Sequence, residues 1–159
     1  MFLSKRKVIF LTSIFLLVFI LTINDIKSQN LKVVDGDTIY LNGKKIRFTG
    51  IDTPELNQTC IKEGITNFCG ITAKLILINR IDKNTVKCIS EGKDQYKRTL
   101  AECFINDESL SSYLVRSGYA FAYRKYSKKF IEDEDYARVN QIGMWSMQFE
   151  YPWNYRKNN

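Results

Sequence analysis

Three carboxylates and an arginine are spaced in this chain in a way that suits phosphate chemistry. Asp35-Gly36-Asp37-Thr38 is followed by a run of alternating character, then by Arg47 and by Ile51-Asp52-Thr53-Pro54-Glu55. Hard divalent cations take carboxylates, backbone carbonyls and water together, so Asp37 and Asp52 are natural ligands and the Thr53 carbonyl can complete one side. Taken alone, Asp35-Gly36-Asp37 reads equally as a plain turn, because Asp and Gly dominate turns. It also lacks the downstream spacing of an EF-hand loop. Arg47 alternates with Phe48 and Thr49, so Arg47, Thr49 and Ile51 are expected on one strand face. An arginine on an inner face needs an anionic partner, since an unpaired buried charge is costly. Asp37 or Asp52 would make that partner a structural ion pair; a phosphate held beside a cation is the alternative. Arg98, which by itself reads as a solvated loop residue, offers a second guanidinium. Two planar forks can hold a phosphodiester and stabilise the extra charge of its transition state. The chain contains no histidine, which closes the imidazole-based routes to phosphodiester cleavage.

These residues must be placed by strands. Residues 31–34 lead into the Asp35-Gly36-Asp37 turn, 38–41 form the next strand, and Asn42-Gly43 is a strong hairpin signal before the strand 44–51. Pro54 ends that run, and residues 55–69 read as a loop. Residues 70–81 are expected to be helical with Ile71, Leu75, Ile78 and Ile81 buried. Residues 85–89 and 99–105 form a second strand pair around a polar connection. Further helices are expected over 109–117, with Leu110, Tyr113 and Leu114 inward and Gly118 as its stop, and over 127–142, where Glu132-Asp133-Glu134-Asp135 suits the positive end of the helix dipole. The tail, 144–155, holds both tryptophans and is expected to pack back on the core. Early strands and interleaved or late helices describe an α+β chain, mainly a small antiparallel five-stranded barrel with about three helices outside it. Five-stranded barrels of the OB type bind polynucleotides on one face.

The 159 residues divide into a leader, 1–29, and a domain, 30–159. Lys5-Arg6-Lys7 followed by an apolar stretch from Val8 to Ile23 fits a secretory signal. The missing small-x-small cleavage site leaves an uncleaved membrane anchor as the alternative, although the stretch is short for an untilted span of about 20 residues. Either places the domain outside the cytoplasm. Four cysteines, Cys60, Cys69, Cys88 and Cys103, follow the leader and allow more than one pairing. The local reading joins Cys60 to Cys69 across a short loop and Cys88 to Cys103 across a hairpin, each worth about 3 kcal/mol. Zinc is disfavoured because there is no Cys-x-x-Cys pair and no histidine. Of the net charge of +7, the leader holds +3, leaving +4 for the domain. Such an excess suits an acidic polymer without deciding for one.

Asp35-Gly36-Asp37-Thr38, Arg47, Ile51-Asp52-Thr53-Pro54-Glu55 and Asp94-Gln95-Tyr96-Lys97-Arg98-Thr99-Leu100-Ala101 resemble, in order and spacing, the staphylococcal nuclease (thermonuclease-like) family. The resemblance extends from Leu31 to Gly143-Met144-Trp145-Ser146, and the cysteine pattern is similar to that of exported, disulfide-containing members. It implies an OB fold and calcium-dependent endonucleolytic cleavage of DNA and RNA, with 3′-phosphate ends and little sugar or sequence specificity. It further implies calcium (Ca2+) held by Asp37, Asp52 and the Thr53 carbonyl, and Glu55 as the carboxylate that activates or orients water. Arg47 and Arg98 would be the phosphate-clamping arginines. Tyr96 would lie near the bound nucleotide, with a second tyrosine at Tyr123 or Tyr126. The hairpin between Asp37 and Arg47 is shorter than in the archetype. The expected enzyme is a monomer acting on nucleic acid, secreted or tethered through its leader. Two rivals stand beside it: an OB-type module that binds nucleic acid without cutting it, and a tethered calcium-binding structural protein, which leaves the two arginines unexplained.

Overall fold

The computed structural model describes residues 29–159. The apolar stretch of the leader lies outside the described residues. Among those described, no helix is long and apolar enough to cross a membrane.

The described residues form ten short strands and four α-helices. Strands β1 (Leu31–Val33), β2 (Thr38–Leu41) and β3 (Lys44–Phe48) are antiparallel neighbours. Asn42 and Gly43, both at positive φ, make the turn between β2 and β3, the left-handed pair that matches the twist of a tight hairpin. Strands β4 (Ile51–Asp52), β5 (Cys60–Lys62) and β6 (Ile65–Asn67) come next, then helix α1 (Cys69–Ile81). Strands β7 (Lys87–Lys93), β8 (Thr99–Ile105) and β9 (Glu108–Ser109) lead into α2 (Leu110–Arg116), followed by β10 (Phe121–Ala122), α3 (Ile131–Val139), a 3-10 turn (Gly143–Ser146) and α4 (Pro152–Asn158). The main sheet runs β1-β2-β3-β8-β7, with β9 added to β8; β10 pairs with β4, and β5 with β6. The β3–β8 pair is parallel and sets Arg47 opposite Leu100.

Several elements depart from the sequence reading. The expected strand 44–51 breaks at Thr49-Gly50, where Gly50 takes a positive φ, so Ile51 and Asp52 leave the main sheet to pair with Phe121 and Ala122. The shared face expected for Arg47, Thr49 and Ile51 is therefore interrupted. The expected loop 55–69 contains the β5–β6 hairpin, turned at Glu63-Gly64 with both residues at positive φ. In α1 the buried residues are Cys69, Gly70, Ala73, Leu77 and Ile81. Of the expected inward set only Ile81 is buried, and Ile71, Leu75 and Ile78 are exposed. The helix carries two apolar stripes at helical spacing. The Cys60–Cys69 disulfide and the contact of Gly70 with the Glu55 backbone pin the small-residue stripe inward. Tyr113 is likewise outward on α2, lying under the Arg80 guanidinium, while Leu110 and Leu114 are buried as expected. Helix α3 is shorter than expected, nine residues.

Two clusters fill the interior. The larger joins the main sheet to α1 and α2 through Ile39, Phe48, Leu77, Ile105 and Leu114. The smaller is aromatic: Phe121 and Met144 are buried beneath Trp145, Phe149, Tyr151 and Trp153. Through it the tail packs back as expected. Both disulfides pair as the local reading has them, Cys60–Cys69 and Cys88–Cys103.

Candidate functional site

The β2–β3 register sets Thr38 opposite Arg47, which brings Asp37, one residue before β2, to the end of the arginine's strand. The turn before it is fixed by the Asp37 N–H donating to Asp35 Oδ1 at 3.1 Å. It also needs Gly36, where a Cβ would stand 2.9 Å from Thr53 Oγ1. The excursion of β4 out of the sheet carries Asp52 and Thr53 against the same turn, and the Thr53 N–H donates to Asp37 Oδ2 at 3.2 Å.

Arg47 ties the acids together, with Nη1 2.6 Å from Asp37 Oδ1 and Nη2 2.7 Å from Asp52 Oδ1. Asp37 and Asp52 are buried. Burial is the largest influence on Asp37 and pushes its carboxyl up to about 6, with Asp35 adding to the rise and Arg47 opposing it. Burial likewise raises Asp52 against the pull of Arg156 and Arg47. With Glu55 at the rim, three carboxylates face the two guanidiniums of Arg47 and Arg156, and an excess of negative charge beside acids held from water suits a further cation. The donors are oxygens only, Asp37, Asp52 and the adjoining Thr53 carbonyl, a set that fits a hard cation with water in its remaining positions. Among the described residues no three carboxylate, cysteine or histidine side chains gather as a metal cluster, so such a cation would depend on that carbonyl, water and substrate.

Glu55 stands at the rim, 41% exposed, on a loop that is held firmly. The buried Gln58 side chain accepts from the Glu55 N–H at 3.2 Å and donates to the Glu150 carbonyl at 2.7 Å. Gly70 at the start of α1 lies so close that a Cβ there would be 1.8 Å from the Glu55 carbonyl oxygen.

A third arginine, absent from the sequence reading, completes the cluster. Arg156 of α4 reaches Asp52 Oδ2 at 2.7 Å and Glu55 Oε1 at 2.8 Å. Burial works to lower its pKa, but the bonds to Asp52 and Glu55 outweigh this and push it up. No local signal announces a partner 104 positions away from Asp52; only Pro152, favoured in the first turn of a helix, marks the start of the element that carries it.

The structure does not bring Arg98 into contact with these residues. It lies just before β8, two positions from the residue opposite Arg47, so the two arginine backbones are about 8 Å apart on strand geometry. Its Nε is bonded to Asp94 Oδ2 at 2.6 Å within its own turn, and its guanidinium lies over the exposed Tyr96 ring, 5.4 Å from the centroid. Desolvation works to raise Asp94, but the Arg98 side chain and the Arg98 and Tyr96 N–H groups together outweigh it and hold the carboxyl below the ordinary value. Tyr123 meets Tyr126 edge-on at 4.9 Å and stacks on Trp153 at 5.6 Å.

The staphylococcal nuclease homologue family model matches residues 45–147. The chain belongs to that family. A nuclease-family relative described as an uncharacterized endonuclease of Haemophilus influenzae is 29% identical over 152 residues, covering 89% of this chain and 80% of the relative. An uncharacterized protein of Methanocaldococcus jannaschii is 33% identical, covering 72% and 69%. A staphylococcal-like nuclease of Arabidopsis thaliana is 27% identical over 72% of this chain and 33% of its own length. Family membership makes the chain a nuclease-type hydrolase with nucleic acid as its substrate class. The matched segment of this nuclease includes Arg47, Asp52, Glu55 and Arg98 but neither Asp37 nor Arg156, which are therefore tied to the site by geometry.

Beside the acids a cleft of about 730 Å³ opens, lined by Tyr123, Arg124, Lys125, Trp153, Arg156 and Lys157 among others. The buried Glu134 shapes its floor. It accepts from the Ala122 N–H at 2.9 Å and pairs with Arg124, a role inside the fold added to its place with Glu132 and Asp133 in the first turn of α3.

Proposed function

We propose that this chain is an exported, calcium-dependent endonuclease that hydrolyses phosphodiester bonds of DNA and RNA with little sugar or sequence preference, leaving 3′-phosphate ends. The observation that carries this reading is the convergence of Asp37 and Asp52 on Arg47, with Glu55 joined to Asp52 through Arg156, in a member of a nuclease family. The five-strand path β1-β2-β3-β8-β7 is taken as the curled wall of an OB-type barrel whose mouth bears the site.

Asp37, Asp52 and the Thr53 carbonyl would hold the cation. When bound, calcium supplies charge screening and polarisation of a phosphate oxygen. Glu55, solvent-accessible at the rim, takes or directs the proton of the attacking water, a contribution of about 10²–10⁴-fold. The water oxygen bonds to phosphorus, the P–O5′ bond breaks, and the departing 5′-oxygen takes a proton from solvent to end as a hydroxyl. Arg47, already poised between the acids, turns one edge to the phosphate, and Arg98 exchanges Asp94 for it; each can donate in the bidentate manner a phosphate accepts. Tyr96 and Tyr123 flank the nucleotide. The basic, aromatic cleft suits a strand running away from the site. The two disulfides favour an oxidising compartment, and the leader would supply export or a tether.

Digestion of single-stranded DNA and of RNA by the purified full-length protein, in calcium and in chelator, tests the reading. Cleavage of both in calcium and neither in chelator is expected, with Glu55→Gln slower by at least 10²-fold and oligonucleotide binding retained. Equal activity in chelator removes the metal role, and binding without cleavage in calcium favours a non-cutting module.

A further inference from the structure

Arg156 occupies an unusual position. Its guanidinium engages Asp52, which the proposed cation needs, and Glu55, which the proposed water needs. Asp52 has both oxygens committed: Oδ1 to Arg47 at 2.7 Å and to Arg156 Nη1 at 3.2 Å, and Oδ2 to Arg156 Nη2 at 2.7 Å. A divalent cation can bind the outer oxygen only after Arg156 leaves it. The charges indicate where the guanidinium goes. Three carboxylates against two guanidiniums leave the cluster at −1; a divalent cation brings it to +1, and one phosphodiester restores neutrality. With a cation in place Arg156 loses its anionic partner at Asp52 and faces an incoming one. It sits where the carboxylates meet the cleft, with Lys157 beside it in sequence and Trp153 on the same short helix.

We infer that Arg156 is an exchangeable counter-cation: it pairs with Asp52 and Glu55 in the cation-free enzyme and passes to a phosphate of the nucleic acid strand once a divalent cation takes Asp52. This rests on the nuclease reading above and adds to it a phosphate-binding arm supplied by α4. The exchange makes cation and strand binding mutually reinforcing, since each removes what obstructs the other, and such coupling is reciprocal.

Calorimetric titration of the full-length protein tests the exchange without turnover. The probes are calcium alone and thymidine 3′-monophosphate, which has no diester to cut, the latter with and without calcium. Arg156→Ala should bind calcium alone roughly three- to tenfold more tightly, the worth of a half-exposed bidentate pair no longer competing. The same variant in calcium should bind the nucleotide about tenfold more weakly, so the two affinities move in opposite directions. Arg156→Lys, which keeps the charge but not the fork, should fall between. Lys157→Ala, which removes the same charge without touching the carboxylates, should change calcium affinity by less than about twofold, as a screened surface charge does. Calcium affinity in Arg156→Ala equal to or below that of the unaltered protein overturns the competition. Unaltered nucleotide affinity in calcium overturns the transfer to phosphate. Failure of the unaltered protein to bind calcium at all would remove the nuclease reading and this inference together, an outcome distinct from either.

Discussion

Gly70→Ala isolates the part of the fold that holds Glu55. Position 70 lies in the first turn of α1 at negative φ, so the backbone accepts alanine, and on propensity alone the change should stabilise the helix by up to about 1 kcal/mol. The obstacle is steric. The added Cβ would lie 1.8 Å from the Glu55 carbonyl oxygen, 2.5 Å from its carbon and 2.8 Å from Leu56 Cα. All three are backbone atoms, so no side chain can swing away. To reach 3.0 Å from the oxygen, helix and loop must separate by at least 1.2 Å. The Cys60–Cys69 bridge next to position 70 resists movement of the helix, and Gln58, bonded to Glu55 and Glu150, resists movement of the loop. Overpacking of this kind costs about 1–3 kcal/mol. A displacement near 1 Å at a catalytic group costs about 10²-fold in rate. Gly70→Ala should therefore lower the midpoint of urea unfolding modestly and kcat by about two orders of magnitude, with calcium affinity little changed because Asp37 and Asp52 stand on other elements. Unfolding followed by tryptophan fluorescence and cleavage of a quenched oligonucleotide provide the two readings. A variant as stable and as active as the unaltered protein would refute the placement of Glu55 against α1.

Arg47→Ala leaves Asp37 and Asp52 buried without their shared guanidinium and should cost about 3–5 kcal/mol in chelator; calcium at about 100 times its Kd should restore close to 3 kcal/mol, read as a rise in melting temperature, and no rise would count against cation binding at these acids. Replacing Cys88 and Cys103 together by serine removes a cross-link spanning 15 residues, worth about 3 kcal/mol and, for a domain of this size, about 10 °C of melting temperature; an unchanged melting temperature would contradict it. Glu134→Ala strands the Ala122 N–H and should cost about 1–3 kcal/mol, whereas Glu134→Gln keeps an acceptor and should cost less, with equal losses in urea unfolding counting against the role assigned to Glu134.

The residues of the site that lie on one stretch of chain were legible in the sequence because local rules govern them. Asn42-Gly43 fixes the hairpin, the hairpin fixes the register, and the register puts Asp37 beside Arg47. The cysteine pairs were legible for the same reason: both bridge near neighbours. The buried face of α1 was not, since periodicity ranks Ile71, Leu75 and Ile78 equally with Ala73, Leu77 and Ile81, and only tertiary tethers at Cys69 and Gly70 choose between them. Gly50 also escaped: one residue at positive φ moved Ile51 and Asp52 to another sheet. Arg156 was invisible for a harder reason. Its partners precede it by about a hundred residues, and a charged side chain near a chain's last residues looks the same whether it is solvated or buried against an acid.

That asymmetry has a physical counterpart in how the site is held together. Arg47 and Asp52 stand on β3 and β4, and Asp37 immediately before β2 is tied to them by Arg47 and the Thr53 N–H, so their mutual positions belong to the sheet framework. Glu55 and Arg156 are held by one buried amide, one glycine contact and a seven-residue helix, elements that open at low cost relative to the sheet. Buried acids with raised pKa values are a standing penalty to folding, and the rigid part offsets it with a single internal guanidinium. The adjustable part contributes the second. On the proposed reading, a site so divided would keep Asp37 and Asp52 preorganised for a cation while leaving Glu55 and Arg156 free to change partners. Substitutions in β2, β3 and β4 should accordingly move stability and cation binding together, whereas those at Arg156, on the cleft side of α4, should move binding more than stability.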